Sequence, residues 1–377
     1  MITLKIMNKR IKIIFVAGAR PNFIKIAPLL KEIKNYSHIK SILVHTGQHY
    51  DDKMSAVFFK DLNIKKPDYN LNIGGGSHGF QTGNIMIAFE KICLKEKPNL
   101  IVVVGDVNST LACALVAVKL CIKIAHIEAG LRSFDKSMPE EINRILTDQI
   151  SDYLFITEES AKNNLLKEGI SSKKIFFTGN VMIDALFNQI KSKNNNIKIL
   201  QKLGIIKKQY SILTLHRPSN VDNKETLKTM LSVLNNIQQH IKIVWPIHPR
   251  AKNNINKFNL QYMFNKMKNI IIIEPLGYSE MVILVNNSKF VMTDSGGLQE
   301  ETTALGIPCL TLRENTERPI TIIQGTNILV GSNKNKIIKT VMEIINTKKN
   351  KNVFKKPKYW DGKTAKRIIA ILNKVTL

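Results

Sequence analysis

Arginine is scarce in this chain, with nine residues against 47 lysines among 377. Acids are scarce too, 29 in all, so the formal net charge is +27. Such a balance ordinarily points to nucleic acid or to a membrane surface. The patterns that would go with either are missing. The lysines are dispersed, no basic block or basic heptad occurs, and aromatics, at 7%, do not interleave with cations. The excess therefore reads as compositional drift, and no nucleic-acid partner is expected. Cysteine is sparse: Cys93, Cys113, Cys121 and Cys309 form no CxxC pair and lie in apolar stretches. That excludes a disulfide framework and a zinc spacing, leaving core thiols in a reducing compartment. No apolar run approaches the roughly 18–20 residues of a membrane helix, so no stable membrane insertion is expected. Ile11–Val16 follows a basic start, yet it is short, carries Lys12 and enters a Gly/Pro loop without a small-residue cleavage site. It reads as a first strand and not as a leader, which places the protein in the cytoplasm. The GxGxxG dinucleotide fingerprint is also missing after that strand, so NAD loses its usual support.

What is present is a folded chain. A composition of 44% hydrophobic and 23% charged residues excludes wholesale disorder, and the length exceeds one ordinary domain. Short β-branched runs alternate with longer helical patterns. In the first half they end near Val16, Thr46, Gly105, Glu128, Thr157 and Gly179; in the second, near Leu215, His248, Glu274, Asp294, Leu312 and Gly331. Runs such as Leu100–Val104 and Ile270–Ile273 are continuously apolar, as in a parallel sheet covered on both faces. Alternation implies βαβ units. The expectation is an α/β protein of two doubly wound Rossmann-like domains, about six strands each, facing a cleft. The break lies between Ala185 and Tyr210, where the chain turns Lys/Asn-rich. Residues 1–185 then form the first domain and 186–359 the second. A helical pattern from Thr364 to Leu372, within 360–377, is expected to pack back on the first.

Ligands of open α/β sheets bind beyond the carboxyl ends of strands, so the residues after each run matter most. After the first come Gly18-Ala19-Arg20-Pro21-Asn22-Phe23-Ile24-Lys25, a tight turn with two cations before a helix whose N-terminus suits an anion. His45 and His49 share a loop with no third ligand at helical spacing, so hydrogen bonding within the loop is favoured over a metal. Asp106 ends the third run, where a catalytic carboxylate would stand, although spacing alone favours a helix N-cap. Glu128 closes the fourth run as an acid at the end of a buried strand; burial would raise its pKa and suit it to acid–base work. In Met138-Pro139-Glu140-Glu141-Ile142-Asn143-Arg144, Pro139 suits a first helical turn, and Glu140 could simply pair with Arg144 one turn on. In the second half, His216-Arg217 and His248-Pro249-Arg250 repeat a cationic theme suited to phosphate. Thr293-Asp294-Ser295-Gly296-Gly297 turns from strand to helix where glycines admit close approach and helix N–H groups can bind a diphosphate. Glu301 falls one turn into that helix, within reach of ribose hydroxyls. Arg313 and Thr316-Glu317-Arg318-Pro319 add cations. No metal site is read.

Together these stretches resemble the non-hydrolysing UDP-N-acetylglucosamine 2-epimerase family, whose fold is similar to the two-domain glycosyltransferase B architecture. The match runs from Gly18 to about Gly331, most specifically at His126–Arg132 with Pro139–Arg144, and at Asp294–Glu301 with Thr316–Pro319. The resemblance implies that Asp106, Glu128 and Glu140 are acid–base carboxylates, overriding the capping and ion-pair readings, and sets His216 among the catalytic groups. It implies that Arg20, Lys25, Ser295, Gly296, Gly297, Glu301 and Arg318, with His216, contact UDP or its sugar. It further implies no cofactor, a UDP-sugar partner, a homodimer, and supply of a surface-polysaccharide precursor. Two departures stand out. Met281 occupies the position where the family commonly carries a phenylalanine against the uracil, a role methionine can fill. Gly74-Gly75-Gly76-Ser77-His78 replaces the arginine-bearing segment of members activated by their substrate. That segment is also similar to relatives acting on diacetamido-uronic acid UDP-sugars, which stand as the alternative substrate class, beside a glycosyltransferase of the same architecture.

Overall fold

The computed structural model describes residues 10–47, 59, 62–191, 198–347 and 355–376. Two compact units divide it: Met1–Ala185 with Lys358–Leu377, and Leu186–Pro357.

The first unit holds a seven-stranded sheet of β1 (Ile11–Ala17), β2 (Ile39–His45), β3 (Tyr69–Asn70), β4 (Leu100–Val104), β5 (Lys123–Ile127), β6 (Tyr153–Ile156) and β7 (Ile175–Phe177). Its spatial order is β3-β2-β1-β4-β5-β6-β7, with every pairing parallel. The second holds β8 (Tyr210–Thr214), β9 (Lys242–Pro246), β10 (Ile270–Ile273), β11 (Phe290–Thr293), β12 (Cys309–Thr311) and β13 (Asn327–Leu329), in the order β10-β9-β8-β11-β12-β13, again all parallel. Both are doubly wound. The extra strand, β3, has two residues on the sheet edge, too few to leave a pattern in the sequence.

Continuous apolar strands follow from cover on both faces. All five residues of β4 are buried, and Ile14, Ile42, Ile101 and Val103 join one core cluster with Phe89 of the helix His78–Glu96. In the second unit Trp245, Phe290, Leu213 and Leu231 share another. Cys93, Cys113 and Cys309 are buried thiols; Cys121 is exposed, contrary to the core position expected of it. It follows the helix Asn108–Lys119 in a left-handed turn at φ +55.

The last helix, Thr364–Thr376, belongs to the first unit. Asp184 caps it, accepting the N–H of Thr364 (3.1 Å) and of Ala365 (2.7 Å). The buried Trp360 donates from Nε1 to the Thr157 carbonyl at 3.2 Å. Gly179, at φ +93, allows this approach: a Cβ there would lie 2.2 Å from the Tyr359 carbonyl oxygen. Among the described residues, no helix is long and apolar enough to cross a membrane.

Each sheet reverses strand order once, between β1 and β4 and between β8 and β11. The crevice beyond such a switch point is where open α/β sheets bind ligands. The loops and helix starts that follow those four strands carry Arg20, Asp106, His216 and Ser295.

Candidate active site

At the switch point of the first unit, Asn22 fastens two loops together. Its Oδ1 accepts the N–H of Gly18 (3.2 Å) and Ala19 (2.9 Å), and its Nδ2 donates to the Val104 carbonyl at 3.0 Å. One turn on, the buried Lys25 ammonium pairs with the buried Glu128 carboxylate. Glu128 has φ +69, a left-handed backbone uncommon for a side-chain-bearing residue. Gly105 lies against the pair: a Cβ there would sit 3.4 Å from both Glu128 Oε2 and Lys25 Nζ. Arg20 is exposed at the start of its helix.

Asp106 does not cap the helix Asn108–Lys119, whose N-cap position is Val107. Its Oδ2 instead accepts from Arg144 Nε (3.0 Å) and Nη2 (2.6 Å). Arg144 Nη1 donates to Glu141 Oε2 at 2.7 Å. The pairing of Glu140 with Arg144 drawn from spacing is thus corrected: the neighbouring acid takes that guanidinium, and Glu140 is exposed on the first turn of the helix Pro139–Ile150. Burial would raise the Glu141 pKa, but the N–H groups of Ser133 and Phe134 and the Arg144 charge outweigh it and hold the carboxyl below its ordinary range. Asn143 Nδ2 donates to the Asp106 carbonyl (2.9 Å) and to Asn108 Oδ1 (3.2 Å).

The second unit builds its switch point around Asp294. This buried carboxylate stands 2.7 Å, through Oδ1, from His216 Nδ1. Its Oδ2 accepts the N–H of His216 (3.0 Å) and Arg217 (2.9 Å) and the Asn220 amide (3.1 Å). Burial pushes the Asp294 pKa up; His216 and these N–H groups outweigh that and hold it low. With Nδ1 committed, Nε2 is the nitrogen His216 can offer a ligand, and the ring is partly exposed.

Ser295 occupies the N-cap position of the helix Gly296–Leu305 without its side chain capping it. Gly296 abuts Glu317, since a Cβ would sit 3.1 Å from Oε1; Gly297 is partly exposed beside it. Arg313 Nη1 pairs with Glu317 Oε2 at 2.8 Å, Arg217 Nη2 approaches Oε1 at 3.6 Å, and Arg318 Nε pairs with Glu300 Oε1 at 2.7 Å. Despite burial, Arg318, Arg313 and Arg217 hold the Glu317 carboxyl at about 2. Glu301 differs. Burial pushes it up to about 7, against the Tyr278 hydroxyl that favours its charge, with Glu300 adding to the rise. Met281 is half-buried on the helix Tyr278–Asn287 that also carries Tyr278.

The two phosphate-suited pairs divide only in part. His216 and Arg217 stay at the switch point, and the His248 ring lies 5.7 Å from the His216 ring while capping its own helix, accepting the Arg250 N–H at 3.2 Å; Arg250 instead pairs with Asp222 on the surface, Nε to Oδ1 at 2.8 Å. His45 hydrogen-bonds the Ala17 carbonyl at 3.1 Å; His49 lies outside the described residues. Sequence reasoning passed over Asn22, Asn143, Glu141 and Asp294 as anchors. Only the position of Asp294 at a strand end signalled it. The other three are polar residues inside helices, where spacing gives no cue.

Residues 31–373 match the family model described as UDP-N-acetylglucosamine 2-epimerase. A UDP-N-acetylglucosamine 2-epimerase of Methanocaldococcus jannaschii is 49% identical over 366 residues, covering 96% of this chain and 99% of its own. The crystal structure of Methanocaldococcus jannaschii UDP-GlcNAc 2-epimerase in complex with UDP-GlcNAc and UDP superposes with a TM-score of 0.87 at 47% identity, covering 97% of this chain and 100% of that one. A UDP-2,3-diacetamido-2,3-dideoxy-D-glucuronate 2-epimerase of Pseudomonas aeruginosa is 44% identical over 332 residues, 87% of this chain and 91% of its own.

Proposed function

The chain belongs to the UDP-N-acetylglucosamine 2-epimerase family, and from that premise we propose that it interconverts UDP-GlcNAc and UDP-ManNAc without a cofactor. The C2–H of a pyranose is not acidic, and an elimination avoids the need for a keto intermediate. A carboxylate removes the C2 proton as the C1–O bond to UDP breaks. The C2–H electron pair becomes the C1=C2 double bond of 2-acetamidoglucal, and UDP leaves with the C1–O pair. On return, C2 takes a proton on the opposite face and a β-phosphate oxygen of the retained UDP bonds to C1.

The observation that carries this reading is the pair of carboxylates, Asp106 and Glu128, leaving adjacent strands at one switch point, each held by a cation. We assign proton transfer at C2 to Asp106, Glu128 and Glu140. The second unit takes UDP: Ser295, Gly296 and Gly297 at the helix N-terminus and Arg318 meet the diphosphate, Glu301 the ribose and Met281 the base. His216, fixed by Asp294, presents Nε2 to the departing phosphate, where a donor stabilises developing charge. Arg20 and Lys25 are assigned to binding of the UDP-sugar. The roles of residues 1–185 and 186–359 divide accordingly.

The relative from Pseudomonas aeruginosa supports a second substrate class, a diacetamido-uronic acid UDP-sugar. A panel of UDP-sugars incubated with enzyme and resolved by NMR decides between them: UDP-ManNAc forming from UDP-GlcNAc alone is expected. Turnover confined to the uronic acid substrate would move the assignment, free ManNAc would mark a hydrolysing enzyme, and UDP release only with an added acceptor would mark a glycosyltransferase.

We also place the enzyme in the cytoplasm, as a homodimer. The buried free thiols support a reducing compartment. On the helix His78–Glu96, Phe80, Ile87 and Leu94 are 57%, 61% and 58% exposed at seven-residue intervals. That spacing sets one apolar stripe along the helix, suited to the same stripe of a second copy.

A further inference from the structure

Beside the reacting carboxylates lies a buried ionic cluster that the reaction as proposed does not use. His126 is fully buried at the end of β5. Its Nε2 stands 2.8 Å from the Gly105 carbonyl and its Nδ1 2.6 Å from Asp148 Oδ1. Both ring nitrogens are thus engaged by oxygens of other elements. Asp148 Oδ2 accepts the Gly130 N–H at 3.0 Å and pairs with Arg132 Nη2 at 2.7 Å. Arg132 continues to Glu168 through Nε (2.8 Å) and Nη2 (2.6 Å).

The anchor points are informative. Gly105 precedes Asp106, His126 and Gly130 bracket Glu128, and Asp148 lies about two turns along the helix that bears Glu140. We infer that His126, Asp148 and Arg132 form a brace that sets the backbone under all three acid–base carboxylates and are positioning residues of the reaction. This inference rests on the acid–base reading of Asp106, Glu128 and Glu140.

Stability alone explains the cluster poorly. Buried charges pay a large desolvation cost, and apolar residues of similar volume often hold a fold equally well. What ions supply and apolar contact does not is direction. Each oxygen of Asp148 fixes its donors along definite lines, so a loop, a strand end and a helix are locked to one carboxylate. The left-handed backbone of Glu128 needs such support from its surroundings.

The test uses the full-length enzyme with Asp148→Asn, which keeps shape and one acceptor, and His126→Gln, which keeps a donor toward Gly105. Phe89→Leu, a core change in the same unit outside the brace, serves as the stability control. The brace predicts kcat lower by about 10–100-fold in each single variant, because small misplacement of reacting groups costs that much. The double variant should lose no more than either single one, since the residues act as a unit. KM and the calorimetric affinity for UDP should stay within about twofold, and Phe89→Leu should keep its kcat.

A second readout needs no activity. Amide hydrogen exchange in peptides covering 104–110 and 127–132 should be faster in both variants than in Phe89→Leu. Unchanged exchange in those peptides, or kcat within twofold of wild type in a folded Asp148→Asn, overturns the brace. If neither variant folds, the wild-type protein still decides: the amides of 104–110 and 127–132 should exchange as slowly as those of the buried strand β4, and exchange as fast as in exposed loops overturns the brace. A wild-type enzyme that leaves UDP-GlcNAc unchanged would count against the proposed function, while the exchange data would still judge the brace.

Discussion

Arg144 donates through three nitrogens to two carboxylates, Asp106 and Glu141, and its sisters behave alike. Arg132 holds Asp148 and Glu168, Arg250 holds Asp222, Arg313 and Arg217 share Glu317, and Arg318 holds Glu300. Arginine was legible in the sequence as the informative cation, because it is rare and gathers at strand ends. Its partners were not legible, since most of the acids it meets come from other elements, up to 100 positions away between Arg217 and Glu317. A planar fork organises carboxylates as readily as phosphates. At this scale the acid–base assignment predicts that Asp106→Asn, Glu128→Gln and Glu140→Gln each depress turnover by about 10²–10⁴-fold with circular dichroism unchanged. Normal turnover in all three would refute it. Glu301 gives a pH prediction. Its folded carboxyl titrates at about 7, above the ordinary 4.5, because burial disfavours the charge. The stability it contributes is therefore present below pH 4.5 and lost as pH rises through 7. Ligand-free Glu301→Gln should match wild type in Tm at pH 4 and exceed it by several degrees at pH 8; equal Tm at both pH values would contradict the shift.

Among elements, the βαβ alternation was readable because central strands such as β4 are buried on both faces and so unbroken in apolar residues, whereas the equally apolar β10 is an edge strand that leaves Ile272 exposed. Edge and capping details were not readable. β3 is too short to signal, and the cap on the last helix comes from Asp184, 180 positions earlier. Asp184→Ala should lower stability by about 1–2 kcal/mol, as loss of a helix cap does, seen as a lower urea midpoint at constant slope. An unchanged midpoint would mean that the cap contributes nothing. Gly296 makes a second prediction. Gly296→Ala puts a methyl 3.1 Å from Glu317 Oε1, so Glu317 must give way at the helix N-terminus. UDP affinity by calorimetry should fall about tenfold, roughly 1.4 kcal/mol, with Tm little changed. Affinity equal to wild type would remove that helix end from the diphosphate site.

For the whole molecule, the +27 charge is carried mainly by lysines. Several lysines serve local ends. Lys208 donates to the carbonyls of Asn286 and Ser288 (3.1 and 2.8 Å), and Lys289 to that of Ile345 (2.8 Å), closing the C-terminal ends of two helices. The exposed stripe of Phe80, Ile87 and Leu94 was hidden in the sequence, because an outward apolar residue looks like a core one until its neighbours are known. Ile87→Glu should convert dimer to monomer in sedimentation equilibrium; a wild-type monomer would reject the homodimer. The central claim is that C2 loses its proton and regains it from solvent on the opposite face. It is met most directly by incubating the enzyme with UDP-GlcNAc in D2O and following C2 by NMR. The account predicts UDP-ManNAc carrying deuterium at C2 and, at equilibrium, deuterium at C2 of the remaining UDP-GlcNAc. UDP-ManNAc that retains its original C2 hydrogen would contradict it.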